Sequence, residues 1–405
     1  MILKLAWRNI WRNSRRSIIA LSSISVGVFA ILLSDGLNTG MIEQILSNQI
    51  SSSVSHIQIH NKGYNDNKVI QSIIPEPAKV EQTIKKNPEV KSFSKRVIAF
   101  GLLSSASSST GMFIYGVDHK DEPQVSSIKD AVIEGEYLMG NDKEIVVGKK
   151  LSEKLGVGIG DKVVAMSNTP DGAIGSDVYR IVGIYATASS EFDKVNVFIN
   201  IKAAQKLLEI GNDFHEFALI LNDIKKLEVA KDEINRILSE GKYEVLTYRD
   251  LLPSLILQID LYKESMWIIN LIVGLALIFG IINTMLMSVF ERINELGVLM
   301  SIGMKNRKIF SMIVSEALIL GVIGTLVGLL IGAAVLIPLS NTGIDFSWFA
   351  AGLESWGVGS IVYPSFMIEN LITTIILIPF ITVIGAMYPA LKAIRLEPVS
   401  AIRYV

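Results

Sequence analysis

The 405 residues contain no cysteine, which excludes disulfides, thiolate metal sites and cysteine nucleophiles. They contain no G-x-x-x-x-G-K-[ST] run, so nothing in them can cradle ATP phosphates in the P-loop manner. Charged residues are scarce, at 19%, and they balance to a net −1. A nucleic-acid binder normally shows a basic surplus, so that class is disfavoured. Only four histidines are present, and no catalytic constellation stands out. What fills the chain instead is apolar: half of all residues, with a mean hydropathy of +0.44. Long polar stretches nevertheless remain. A few membrane spans and one sizeable soluble domain account for both facts.

Residues 1–16 carry Lys4, Arg8, Arg12, Arg15 and Arg16 and no acid. At about 100° per residue these fall on one helical face, with Leu3, Trp7 and Ile10 opposite and Trp11 at the boundary. The pattern predicts a helix lying on the cytoplasmic leaflet, its two indoles at headgroup depth in membrane lipid. The rival reading is the basic region of a signal peptide; the length of the apolar run Ile18–Leu33, continuing weakly to Leu37, argues against it. Small residues in that first run, Ser22, Ser23, Ser25 and Gly27, permit close helix contact. Beyond it a helical stripe continues through Met41, Ile42, Ile45, Leu46 and Gln49. From Ser254 no Gly or Pro intervenes until Gly274, and the apolar run lasts to Phe290. A helix of that length measures ~55 Å against a hydrocarbon core of ~30 Å. Two helices are therefore expected to stand proud of the membrane as a stalk.

Glu291–Lys308, ERINELGVLMSIGMKNRK, is a short basic segment between two long apolar runs. Loops of that kind stay in the cytoplasm. Ile293–Ile302 is predicted to be helical, Gly303 to end it in the left-handed conformation, and Asn306 to cap the next helix. Taken alone it reads as a solvated turn between two spans. Its residue order, Glu-Leu-Gly-Val-Leu-x-x-Ile-Gly, resembles the E-I-G-I-L-x-x-L-G signature of FtsX-like ABC permeases, the superfamily of the LolC/LolE and MacB types. The match runs through Glu295, Leu296, Gly297, Val298, Leu299, Ile302 and Gly303; Met300 departs from it, where a basic or polar residue is common. The resemblance implies an ATPase-coupling element formed by Glu291, Arg292, Glu295, Leu296, Gly297, Leu299, Met300, Ile302, Gly303, Lys305 and Arg307. It further implies four spans and a large extracytoplasmic α+β domain split by a small β-rich insert.

The expected organisation is an interfacial helix at 1–16, the first span and stalk at 17–53, and the soluble domain at 54–252 with its insert at about 130–210. Then follow stalk and second span (253–290), coupling segment (291–308), third span (309–337), outer loop (338–365), fourth span (366–387) and cytoplasmic tail (388–405). The soluble region reads β-α-β-β near HIQIH (His56–His60) and β-α-β near its far end. Ser55–Tyr64 and Val182–Tyr185 resemble phrases of the same superfamily, Ser55 standing where Gly is usual. The outer loop has Asp345 and Glu354 but no Lys or Arg, with Trp348, Trp356 and Tyr363 as interfacial aromatics. The tail's Pro-Ala-x-x-Ala-x-Arg-x-x-Pro-Val-x-Ala-Ile-Arg matches the family's usual ending. Basic flanks on one side put both termini in the cytoplasm and residues about 38–265 outside; the resemblance implies that the membrane is a bacterial inner membrane.

Gly324, Gly328 and Gly332 form a small-xxx-small ladder, a helix-packing signal. Glu316 reads as the one acid deep in a span: either a functional carboxylate, with Arg8 or Arg12 as partner, or a snorkelling or helix-bonded carboxylate near the interface. Asn270 and Asn283 either line an inter-subunit cavity or bond a neighbouring helix. His56 and His60 read as exposed strand residues, a metal site being the remote alternative. No metal is expected, and no cofactor on this chain: ATP and Mg are expected on a separate ATPase polypeptide. By the same resemblance the partners are an ABC ATPase dimer, a second permease subunit, identical or paralogous, and a periplasmic carrier, adaptor or lipoprotein. No nucleic acid is expected. Three functions fit: lipoprotein release, MacB-like export of peptides or drugs, and FtsX-like control of a cell-wall hydrolase.

Overall fold

The computed structural model describes residues 2–238 and 241–395 and divides into two compact units. The membrane unit comprises Met1–Ile42, Gln258–Ile344 and the chain from Val362 on; the sheet unit comprises Glu43–Leu257 and Asp345–Ile361. Helix α1 (Ile2–Arg12) is followed at once by α2 (Ser14–Gln49). Asn13 breaks the two, so Arg15 and Arg16 belong to the start of the first span and not to the interfacial helix. No proline interrupts α2, and its 36 residues span ~54 Å. It ends in a π turn, Ile50–Val54.

The sheet unit continues through β1 (Ile57–Asn61), α3 (Pro77–Lys86), β2 (Val90–Ser104), β3 (Ser109–Val117), β4 (Val132–Gly135) and β5 (Glu144–Gly148). Then come α4 (Lys149–Leu155), β6 (Lys162–Asn168), β7 (Ile174–Tyr185), α5 (Ser190–Val195), β8 (Asn196–Asn200) and α6 (Ile201–Leu208). It closes with β9 (Glu216–Leu221), α7 (Leu227–Ile237), β10 (Tyr243–Thr247) and α8 (Tyr248–Leu251). The strands form one mixed sheet in the order β10-β1-β9-β2-β3-β8-β5-β7-β4, with β6 against β2 and β7. The insert interrupts the chain but not the sheet: β8 pairs parallel with β3, and β6 antiparallel with β2. The apolar core is correspondingly continuous, running from Ile57, Val97 and Leu219 to Val147, Ile181 and Ile199. Burying both parts together avoids two small, marginal cores.

Helix α9 (Pro253–Glu291) is the second long span, 39 residues or ~58 Å, and the least buried of the four candidate spans. The joint helix α10 (Ile293–Ser301) leads to α11 (Asn306–Thr342). A two-stranded ribbon, β11 (Ile344–Asp345) with β12 (Ile361–Val362), brackets α12 (Ala350–Ser355). The expected outer loop is therefore folded, and its residues 345–361 group with the sheet unit. The last helix, α13 (Ile368–Ile394), contains Pro379 and Pro389 and runs past the expected end of the span. The tail from residue 396, with Arg403 and most of its motif, lies outside the described residues.

The glycine ladder sets α11 against α2. A Cβ on Gly324 would stand 2.7 Å from Ile24 Cγ2, one on Gly328 2.7 Å from Val28 Cβ, and one on Gly332 2.6 Å from Leu32 Cδ1. Positions 24, 28 and 32 repeat at the same four-residue spacing as 324, 328 and 332, so two helix faces meet in register. Close backbone approach also lets the Ser25 hydroxyl donate to the Gly324 carbonyl at 3.0 Å.

Candidate functional site

The joint is a tight, well-terminated turn. Gly303 has φ +93° and the Met304 amide donates to the Leu299 carbonyl at 3.0 Å, while the Gly303 amide donates to Met300. That pair of bonds is the Schellman ending, and it requires the left-handed residue that glycine supplies. Asn306 does not cap α11. It is the first helical residue, Lys305 occupies the cap position without a side-chain bond, and the Asn306 side-chain Nδ2 instead donates to the Ile394 carbonyl.

The faces of α10 divide its residues. Ile293, Leu296 and Gly297 are buried, and Leu296 clusters with Val289, Ile309, Met312 and Ala393, with Leu299 and Met300 packed beside them. Glu295, Val298, Ser301, Ile302, Gly303, Lys305 and Arg307 are exposed, Ile302 to 78%. Leu296 and Gly297 therefore seat the joint in its own chain, and Val298 with Ile302 forms the free apolar edge.

A chain of alternating charges ties this joint to the first span. Arg12 donates to Glu295 at 2.5 Å, and Arg292 donates to Glu295 at 3.2 Å and to Glu316 at 3.3 Å. Arg16 donates to the other oxygen of Glu316 at 3.3 Å and to Glu291 at 3.1 Å, where Asn13 adds a bond at 2.9 Å. Burial partly desolvates Glu295, but the hydrogen bonds from Arg12 and Arg292 outweigh it and hold its carboxyl below the ordinary range. Exposure falls along the chain, from 53% at Arg12 to 3% at Glu316. Glu316 is thus neither snorkelling nor paired with Arg8 or Arg12. Its partners are Arg16 and Arg292, one from the start of the first span and one from the joint. Arg8 is exposed and makes no ion pair among the described residues. Trp7 and Trp11 stand edge to face, 5.9 Å apart and about half exposed, whereas Ile10 packs inward with Ala6. Ile10 and the two indoles therefore do not share one lipid-facing side.

Asn283 is exposed on α9 with no hydrogen bond among the described residues. Asn270 neighbours Asp35, a second acid inside a span. Glu316 is therefore not alone: Asp35 is 8% exposed in α2. The signal was readable in Ser-Asp-Gly, where an acid falls within a run otherwise taken as apolar.

The sheet unit holds a third buried carboxylate cluster. Arg96, 1% exposed, donates to Glu122 at 2.8 and 3.0 Å and to Glu216 at 2.8 Å. It also donates to the Ser53 carbonyl and reaches Ser55 Oγ at 3.5 Å, fastening the π turn that ends α2. Ser55 has φ +61° and ψ −172°, a region nearly reserved for glycine, so this fastening holds a strained residue. His60 is buried, not exposed: it bonds Gln58 and the His215 carbonyl and stacks on Tyr64, which stacks on His215. Burial lowers it to about 4, while burial raises Glu216 to about 7 against the pull of Arg96. Among the described residues no group of three or more His, Cys, Asp or Glu could hold a metal ion.

Two family models match the chain: the MacB-like periplasmic core domain over residues 17–237 and the FtsX-like permease C-terminal over 267–398. The pyoverdine export ATP-binding/permease protein PvdT of Pseudomonas syringae pv. tomato is 24% identical, aligned over 99% of this chain and 59% of its own length. The chain thus spans little more than half of that relative. The lipoprotein-releasing system transmembrane protein LolC of Haemophilus influenzae is 23% identical over 94% of this chain and 91% of its own. Among solved structures, the periplasmic region of MacB from Actinobacillus actinomycetemcomitans matches 55% of this chain and 97% of its own, at 13% identity and TM-score 0.36. With candidate spans and mixed-sheet unit in the order these models require, this chain belongs to the FtsX-like ABC transporter permeases that carry a MacB-like periplasmic core domain.

Proposed function

We propose that the chain transmits ATP-driven motion from a cytoplasmic ATPase, outside these 405 residues, to its sheet unit without itself binding nucleotide. The observation that carries this reading is the joint: an exposed Val298–Ile302 edge beside Gly303, Lys305 and Arg307, wired through Glu295, Arg292, Glu316 and Arg16 into the first span. A push on α10 shifts the arginines shared with Glu316, and α2 carries the shift along its ~54 Å. Glu291 and Arg12 tether the rim; Leu296, Gly297, Leu299 and Met300 make the joint rigid enough to act as a lever. In this reading both termini and the joint lie on the cytoplasmic side of a bacterial inner membrane, and Mg-ATP is held by the ATPase dimer. A second permease subunit covers the outward face of α9, where exposed Asn283 meets a partner more readily than lipid.

For cargo, the reading is release of lipoproteins towards the outer membrane, supported by the Ser52–Tyr64 stretch and the LolC relative. Export of another class of cargo in the manner of the PvdT relative is the second reading, supported by a comparable identity.

The test uses tagged full-length chain purified from its host membranes, with the co-purifying ATPase quantified and ATP turnover measured. Gly303→Val puts a β-branched side chain at positive φ, a strain of about 1–3 kcal/mol, and no atom lies within 4 Å of the added Cβ. Glu295→Lys reverses one exposed charge. Both should reach the membrane at wild-type abundance and lose on the order of tenfold or more in turnover. Wild-type turnover in both variants would sink the reading.

A further inference from the structure

A cavity of about 360 Å3 lies between α2, α9 and α13, toward the end of the bundle where α2 continues as the stalk. Ile31 and Trp267 supply apolar wall; Asp35, Glu369, Asn270 and Thr374 supply polar wall. Asp35 is buried, yet no cation lies within ion-pair distance of it among the described residues. Its polar neighbour is Asn270, whose Oδ1 is itself buried without a donor. A carboxylate and an amide oxygen are acceptors only, so the pair asks for N–H donors and positive charge from outside the chain. Lys263 also lines the cavity but makes no ion pair with Asp35.

We infer that this cavity takes the primary ammonium headgroup of a membrane amphiphile. Two carboxylates line the cavity, Asp35 and Glu369, but among the described residues no group of three or more His, Cys, Asp or Glu could hold a metal ion, which disfavours a hard divalent cation. An ammonium needs only three acceptors, which Asp35, Asn270 Oδ1 and the neighbouring Thr374 hydroxyl supply. The apolar wall and the position within the hydrocarbon-spanning helices suit an acylated ligand over a free amine. An intramembrane acid left without a cation is costly, and a bound ammonium offsets that cost. The inference is independent of the cargo.

The test is native mass spectrometry of the delipidated full-length chain, titrated with phosphatidylethanolamine, phosphatidylcholine and phosphatidylglycerol of identical acyl chains. Phosphatidylethanolamine should bind on the order of tenfold more tightly than the other two, because choline has no N–H and glycerol no charge. Equal affinity across the series overturns the inference, and this arm needs no variant. Asp35→Asn should abolish the preference and Lys263→Met should keep it; the reverse pattern overturns it. Chainless glycerophosphoethanolamine should not compete at matching concentrations. Full competition would assign the site to a soluble amine and overturn the amphiphile.

Discussion

Two carboxylates sit inside apolar spans of this permease, and they are handled in opposite ways. Glu316 in α11 is gripped by Arg16 and Arg292, each oxygen taking one guanidinium. Asp35 in α2 is buried almost as deeply, with Asn270 beside it and, among the described residues, no ion-pairing cation. The first is an internal tie whose charges are neutralised by the fold. The second is an unfinished site. A buried acid with its partners in place holds elements together, whereas one left without them is a place for something else to bind.

Breaking the tie should give the largest effect. Glu316→Gln leaves two guanidinia facing a neutral amide and should cost about 3–5 kcal/mol, read as faster thermal inactivation of the solubilised chain. Retained stability would mean that the arginines find other partners and that the tie is not structural.

Next in size is a pH effect at a buried carboxylate of the sheet unit, Glu216. Its folded value is raised to about 7 from 4.5, so its contribution is complete below pH 4.5 and is lost as pH rises through 7. His60 is lowered from 6.5 to about 4, so its contribution is present above pH 6.5 and is lost as pH falls through 4. Between pH 6.5 and 4.5 the two oppose, and protection of β1 and β9 amides in hydrogen exchange should change little. Glu216→Gln removes only one of them, and protection should then fall steadily as pH drops from 6.5 to 4. A flat profile in the variant would show that His60 is not held neutral.

Asp35→Leu should move stability the other way from Glu316→Gln. Replacing an unpaired buried acid by an apolar side chain should raise stability by about 1–2 kcal/mol in lipid-free detergent. A loss as large as that of Glu316→Gln would erase the distinction between the two acids. The smallest stability change belongs to the rim pair Arg12–Glu295, both about half exposed and worth under ~1 kcal/mol. Arg12→Glu should barely alter melting yet lower ATP turnover in the complex, and the exchanged pair Arg12→Glu with Glu295→Arg should restore it. Failure of the exchange would place the role of Glu295 on the ATPase side of the joint.

The four apolar runs, the left-handed Gly303 and the Gly324–Gly332 ladder were legible in the chain itself. Each is a local property: a length of apolar residues, a helix ending that only glycine makes cheap, a four-residue repeat that puts small residues on one face. The same locality explains why the motif ELGVLxxIG identified the superfamily without any partner in view. What required the tertiary structure was every question of pairing. Helical periodicity put Arg12, Arg15 and Arg16 on one face, but a break at Asn13 turned Arg16 into the first span and onto Glu316, 300 residues away. Alternation along β1 placed His60 on a face without saying that Tyr64 would stack over it and that Gln58 and the His215 carbonyl would take its nitrogens. Asp35 is only a polar break in the weak end of an apolar run, Leu33–Leu37, until α9 and α13 enclose it. Local conformation follows from short-range sterics and solvation, which a sequence carries in its order. Which charges meet depends on how long rigid helices cross, and a small bend at one residue decides that at a distance.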